Sequence, residues 1–324
     1  MKHFTVLELD TDKYKKITGP RPEVVGGSRP RLTLIHKDTN QKFFFKTYTH
    51  NAREVWAECL ASHIAELVGI PAQLVTIKTA TPGLAKFMKK YYGEILGNSW
   101  KPIGTLARNI FTKNIDITYG SAIIGSLNTP LTLTEIEEKV KARYYGAEDL
   151  LQAFTDMIVF DVLIGNMDRH HENWGVCEDK KYRQQLLFDK KQLIRLRNFT
   201  PLFDHGSSLM FELSDKDVAD MQKDEERLVH YIERAKFGYI LDPDGKENNP
   251  FKLMEEYIKT DKKWKPRMRL SLEKIRGLDL LALAELIIQM PLIEDLEYSM
   301  DRRKLLYKSL LLRYNKLISM YESM

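Results

Sequence analysis

Residues 150–165 (LLQAFTDMIVFDVLIG) are apolar on nearly every side, and the chain leaves them directly for a loop dense in acid, base and amide, Gly165-Asn166-Met167-Asp168-Arg169-His170-His171-Glu172-Asn173-Trp174. A helix without a polar face has to lie inside a protein. The pattern over 148–165 therefore predicts a helix in the middle of a core, with a polar loop held at its end. The chain can bury such a helix, because 324 residues with 43% hydrophobic content are enough for about two lobes.

Upstream, residues 31–48 (RLTLIHKDTNQKFFFKTY) split into two β-type runs around Asp38-Thr39-Asn40 and read as a hairpin, preceded by the turn-rich stretch Gly26-Gly27-Ser28-Arg29-Pro30. Val55, Cys59, Leu60, Ile64, Leu67 and Val68 recur at three to four residues, which predicts a helix over 51–68 ended by Gly69 and Pro71. LVTIKTA reads as a strand. A longer helical region begins near 83–90, and the tail from 271 is helical, with Leu280, Leu281, Leu283, Leu286, Leu305, Leu306, Leu310 and Leu311 marking buried faces.

Several function classes are excluded. The first residues, MKHFTVLELDTDKYKK, match neither a secretory signal nor a membrane anchor, so the cytoplasm is the default expectation. Cys59 and Cys177 are too few for a disulfide framework or a structural zinc site and are expected to be small buried residues. A net charge of +5 is spread among acids, which describes a solvated surface and not a nucleic-acid-binding face. His170, His171, Cys177 and His205 lack the spacing of established zinc motifs. His170 is expected to pack within the loop and His171 to face solvent.

Asp168 and Asn173 have the D-x-x-x-x-N spacing of a phosphoryl-transfer loop. An aspartate there accepts the proton of an acceptor hydroxyl, and an asparagine oxygen ligates magnesium without adding negative charge beside phosphates. Downstream, Pro201-Leu202-Phe203-Asp204-His205-Gly206 sets a second aspartate at a strand end, suited to hold the metal that bridges the phosphates. Gly26 and Gly27 let backbone N–H groups approach phosphates, and Lys46 in FFFKTY can reach them if a helix carboxylate, Glu54 or Glu58, orients it. Each feature alone has an ordinary reading as a turn, an edge lysine or a chance spacing. Their order along the chain is what points to an ATP- and magnesium-dependent kinase.

With these residues the chain resembles the HipA-like serine/threonine kinases, whose catalytic loops are also distantly similar to those of phosphatidylinositol kinases. The stretches that carry the resemblance are GGSRPRLTL (26–34), FFFKTY (43–48), AECLASHIAELVGIPA (57–72), FDVLIGNMDRHHENWGV (160–176) and TPLFDHGSSL (200–209). It implies an α+β, bilobal protein-kinase-like fold, with a small β-rich lobe over 1–88, a hinge near 84–89 and a larger helical lobe over 89–324. ATP would lie between them, against Gly26, Gly27, Ser28, Arg31, Lys46, Lys86 and Phe87, with Mg²⁺ on Asn173 and Asp204. Asp168, Lys46 and Glu58 would be catalytic. The family's spacing from helix glutamate to helix-ending glycine selects Glu58 over Glu54. The phosphate would pass to serine or threonine of proteins and of the chain itself.

The family's phosphorylated loop serine is replaced here by Val25, which leaves Ser28 as the nearest alternative and Ser207 and Ser208 as marks of an activation segment. The glycine loop is reached by residue 26, so the extra amino-terminal subdomain of the family's toxins, with its antitoxin or operator partnership, is not expected. The compact length is similar to that of a bacterial effector kinase of the family, which adds host-cell proteins as substrates and export without a signal peptide to what the resemblance implies. A lipid or small-molecule kinase is the alternative within enzymes. A pseudokinase binding module is the alternative outside them, and intact Lys46, Asp168, Asn173 and Asp204 argue against it.

Overall fold

A computed structural model gives the structure of residues 7–16, 30–49, 51–98, 100–110, 114–126, 129–181, 194, 196–246, 249–290 and 298–324. The amino-terminal part is a six-stranded sheet in the order β1-β5-β6-β4-β3-β2, formed by β1 (Leu7–Glu8), β2 (Tyr14–Lys16), β3 (Arg31–His36), β4 (Lys42–Thr47), β5 (Val75–Thr79) and β6 (Ile103–Arg108). The β3–β4 hairpin turns through Asn40 at φ +51, a conformation asparagine tolerates. Its register sets Arg31 opposite Lys46, and β6 sets Thr105 opposite Lys46 from the other side. Directly paired residues share a face. Alternation along β4 sends Phe45 and Thr47 to the opposite face, where Phe45 is buried and Thr47 Oγ1 accepts from Trp100 Nε1 at 2.9 Å.

Helix α1 (Arg53–Leu67) packs against β5, where Cys59 Sγ donates to the Val75 carbonyl at 3.3 Å and Val75 N donates to Ser62 Oγ at 3.3 Å. Gly69 ends it, as expected, here in a left-handed turn at φ +68, with Ile70 N returning to the Ala65 carbonyl at 2.9 Å. Helix α2 (Pro82–Leu96) starts with Thr81 as N-cap and Pro82 in the first turn, and buries Leu84, Met88, Tyr92 and Leu96.

This corrects the expected lobe boundary. Residues 84–89 lie inside α2 and are no extended hinge, and β6, assigned above to the second lobe, completes the first lobe's sheet between β5 and β4. The link to the larger lobe leaves after Arg108.

The larger lobe surrounds α5 (Glu148–Ile164), as its all-round apolarity requires. Helix α9 (Trp264–Arg276) and helix α11 (Met300–Glu322) pack on it, and α3 (Gly120–Ile124), α4 (Leu133–Arg143), α6 (Asp215–Lys223), α7 (Glu225–Arg234), α8 (Pro250–Thr260) and α10 (Leu280–Ile288) complete the lobe. Leu283, Leu305, Leu306 and Leu310 are buried as expected, whereas Leu281 points outward at 69% exposure, one position off the stripe through Leu283 and Ile287. Gly165, at φ +69, caps α5, and a β-carbon there would come within 2.9 Å of Arg313 Nη2. Arg313 in turn gives Nη1 to the Val162 carbonyl at 3.0 Å, satisfying one of the orphan acceptors at the helix end.

Three short strands, β7 (Ile115–Tyr119), β9 (Gly175–Asp179) and β10 (Arg197–Phe199), form a second sheet in the order β10-β9-β7, and β8 (Leu131–Thr132) pairs with β11 (Ile240–Leu241). One bridge, Ala72 with Leu202, ties the loop after α1 to the segment that leads to Asp204. Among the described residues no helix is long and apolar enough to cross a membrane.

Candidate active site

Three side chains far apart in sequence meet where the sheet faces the larger lobe. Lys46 Nζ donates to Asp204 Oδ1 at 2.5 Å and lies 4.0 Å from Glu58 Oε2. Glu54 and Glu58 both border the recess behind Lys46, and Glu58, on the helix face turned inward, comes within ion-pair distance of it. Arg31 stands beside Lys46 on the same face with its guanidinium 4.6 Å from the centre of the Phe44 ring. Burial lowers the pKa of Arg31, opposed by Tyr119 and Asp204 nearby.

The residues of the loop after α5 are arranged by Arg169, which the sequence pattern did not single out. Its guanidinium forms a two-pronged pair with Asp161 of α5, Nε to Oδ2 at 2.8 Å and Nη2 to Oδ1 at 2.9 Å. Burial works against that charge, and the Asp161 carboxylate more than offsets it, so the Arg169 pKa is raised. Nη1 donates to the carbonyls of Asn173, at 3.1 Å, and Phe203, while Nη2 donates to His205 Nδ1 at 2.9 Å. One buried cation thus holds the end of α5, the loop and both neighbours of Asp204.

Arg169 also fixes the state of His205. Burial first, then the charge of Arg169, lowers the imidazole to about 3, so the ring is neutral. A guanidinium only donates, so Nδ1 is the acceptor and Nε2 carries the proton. Clamped between Phe203 and His205, Asp204 adopts φ +60, a left-handed conformation that costs about 1–3 kcal/mol for a residue other than glycine. The clamp is what sustains it.

Asp168 is exposed at the mouth of this network and accepts from Ser207 Oγ at 3.4 Å. Asn173 is buried and gives Nδ2 to the Asp168 carbonyl at 3.2 Å. Its amide nitrogen is thereby committed to the loop, which leaves Oδ1 as the end available to a cation. Asn173 Oδ1 and the Asp204 carboxylate are hard oxygen donors of the kind magnesium takes, so the residues present fit that ion.

Other expectations fare differently. Lys86 is exposed and the Phe87 ring lies tilted against Tyr91, with ring centres 4.5 Å apart, both inside α2. Their backbone groups belong to a helix and cannot read a base as a hinge does. His171 is buried, with Nε2 3.0 Å from the Thr129 carbonyl and its ring against Trp174 and Tyr239, so it does not face solvent. Gly26, Gly27, Ser28 and Val25 lie outside the described residues. Cavities of about 500 Å³ beside Gly165, Met167 and Arg313 and about 720 Å³ beside Pro71, Arg108 and Leu202 are lined by none of Lys46, Asp168, Asn173 and Asp204.

The signal for Arg169 was present in the sequence. Asp161 is a carboxylate within the buried stretch MIVFDVLI of α5, and a buried carboxylate requires a partner.

No family model and no curated protein matches the chain. Its structure is similar to that of the proinflammatory kinase CtkA of Helicobacter pylori, with a TM-score of 0.72 at 17% identity over 98% of this chain and 97% of that one. It is also similar to HipA of Shewanella oneidensis MR-1, solved with HipB and operator DNA, with a TM-score of 0.55 at 13% identity over 94% of this chain and 68% of that one. At such identities the likeness establishes the fold, which is α+β, kinase-like and bilobal, with a small β-rich lobe and a larger helical one.

Proposed function

We propose that the chain is an ATP- and magnesium-dependent protein kinase that transfers the γ-phosphoryl group to serine or threonine hydroxyls, its own included. The observation that carries this reading is the meeting of Lys46, Glu58 and Asp204 beside a loop whose Asp168 is exposed and whose Asn173 keeps an oxygen free for a cation. A kinase-like fold alone would permit a binding module. The retained polar set supports chemistry.

In this reading Lys46 and Arg31 bind phosphate oxygens, Glu58 orients Lys46, and the base of the nucleotide lies against the link after Arg108, in place of residues 84–89. Asp168 positions the acceptor hydroxyl and takes its proton. Asn173 and Asp204 would hold magnesium, which when bound neutralises charge on the phosphates. Arg169 touches no substrate and is a positioning residue. Purified protein with γ-labelled ATP and magnesium, scored for phosphoserine, phosphothreonine and lipid product, tests the reading, and label confined to lipid would overturn it.

A further inference from the structure

Ser207 is a hydroxyl that the fold itself presents to the candidate base. Its Oγ donates to Asp168 Oδ2 at 3.4 Å. A working acceptor sits at about 2.6–3.2 Å from its base, and such contacts often tighten only when substrate is bound. Ser207 follows Asp204 by three positions, a reach of at most about 10 Å of chain, so the hydroxyl that touches Asp168 is also tethered close to Asp204.

The neighbouring serine is turned away. Ser208 is buried, and its Oγ donates to the His205 carbonyl at 2.6 Å. The turn that divides the two serines is pinned at both ends, by Arg169 on His205 and by Leu209 N on the Ile164 carbonyl at 2.9 Å. Leu209 and Met210 both stand at φ +56, so the chain folds back sharply after Ser208.

We propose that Ser207 is a phosphoacceptor modified in cis, and that its phosphate then closes the acceptor position. This rests on the kinase reading above. Ser207 Oγ attacks the γ-phosphorus of ATP, forming an O–P bond as the bond from that phosphorus to the β,γ-bridging oxygen breaks. The hydroxyl proton passes to Asp168 and ADP is released. The product carries about −1.5 to −2 charges beside Asp168 and within reach of Asp204. It occupies the place an external hydroxyl needs and repels further phosphate, so the enzyme slows as it labels itself.

The test uses the full chain with γ-labelled ATP and magnesium, with and without a serine/threonine peptide pool, followed by phosphosite mass spectrometry. Expected is label on Ser207 at a rate per molecule independent of protein concentration. Mixed with wild type, a Lys46→Met copy should stay unlabelled. Peptide phosphorylation should decline with time in wild type, by several-fold as Ser207 fills, and stay linear in Ser207→Ala. Ser207→Thr should restore self-labelling as phosphothreonine and restore the decline. Peptide labelling with Ser207 unmodified overturns the inference and leaves the kinase reading standing, and so does Ser207 label that rises with protein concentration. Absence of transfer to any acceptor overturns both.

Discussion

Lys46 Nζ, on strand β4 of the small lobe, donates to Asp204 Oδ1 at 2.5 Å, with Glu58 Oε2 at 4.0 Å. The lysine is thus shared between an acid of its own lobe and an acid of the other. Lys46→Ala should cut turnover far more than stability, because the Lys46 side chain, 24% exposed, lines a polar cleft and not the apolar core. A double-mutant cycle with Glu58→Gln should show coupling of about 0.5–3 kcal/mol in transition-state stabilisation, the range for residues in one network. Additivity with Glu58 but coupling with Glu54 would transfer the orienting role to Glu54.

Asn173 and Asp204 make separable predictions about magnesium. Asp204→Ala should abolish the magnesium dependence of ATP binding measured by calorimetry. Asn173→Ala should raise the magnesium concentration needed for half-maximal turnover. Nucleotide affinity in Asp204→Ala that responds to magnesium as in wild type would remove Asp204 from the metal site.

Arg169→Ala leaves Asp161 buried without its counter-charge, and removing one member of a buried pair costs about 3–5 kcal/mol. Arg169→Lys should rescue little, since an ammonium cannot make the two-pronged contact with Asp161 while reaching Phe203, Asn173 and His205. Urea unfolding of both variants checks this. A loss below about 1 kcal/mol for Arg169→Ala would contradict the role assigned to the network.

Acid should destabilise the fold through His205. Its pKa falls from the ordinary 6.5 to about 3 on folding, so between those values the unfolded chain binds a proton that the native one does not. Stability therefore drops as pH falls through that window, by as much as about 1.4 kcal/mol per pH unit from this group. Burial lowers His171 in the same direction. His205→Gln should be less stable at neutral pH yet show a shallower loss between pH 6.5 and 4, and an unchanged slope would count against a buried neutral imidazole.

The parts of this account legible in the sequence are those that local spacing determines. Helix α5 and the β3–β4 hairpin are set by local spacing, where periodicity and turn chemistry act directly, whereas the preference for Glu58 over Glu54 came from the family resemblance. Residues 84–89 are helix and not hinge because Thr81 before Pro82 starts a helix that runs on to Leu96. Strand β6 is buried along nearly its whole length and shows no alternation of apolar and polar residues. Its place between β4 and β5 depends on long-range pairing that no window of sequence contains. Ser207 and Asp168 are brought together by Arg169 and its partners, a contact made 39 residues apart.

The measurement that bears most directly on the central claim is γ-phosphoryl transfer by wild type and by Asp168→Ala, with circular dichroism to verify the fold of each. Asp168 is an exposed loop carboxylate, so its removal should leave the fold intact and lower transfer to serine and threonine by about 10²–10⁴. Near wild-type transfer from a folded Asp168→Ala protein would contradict the assignment of the site.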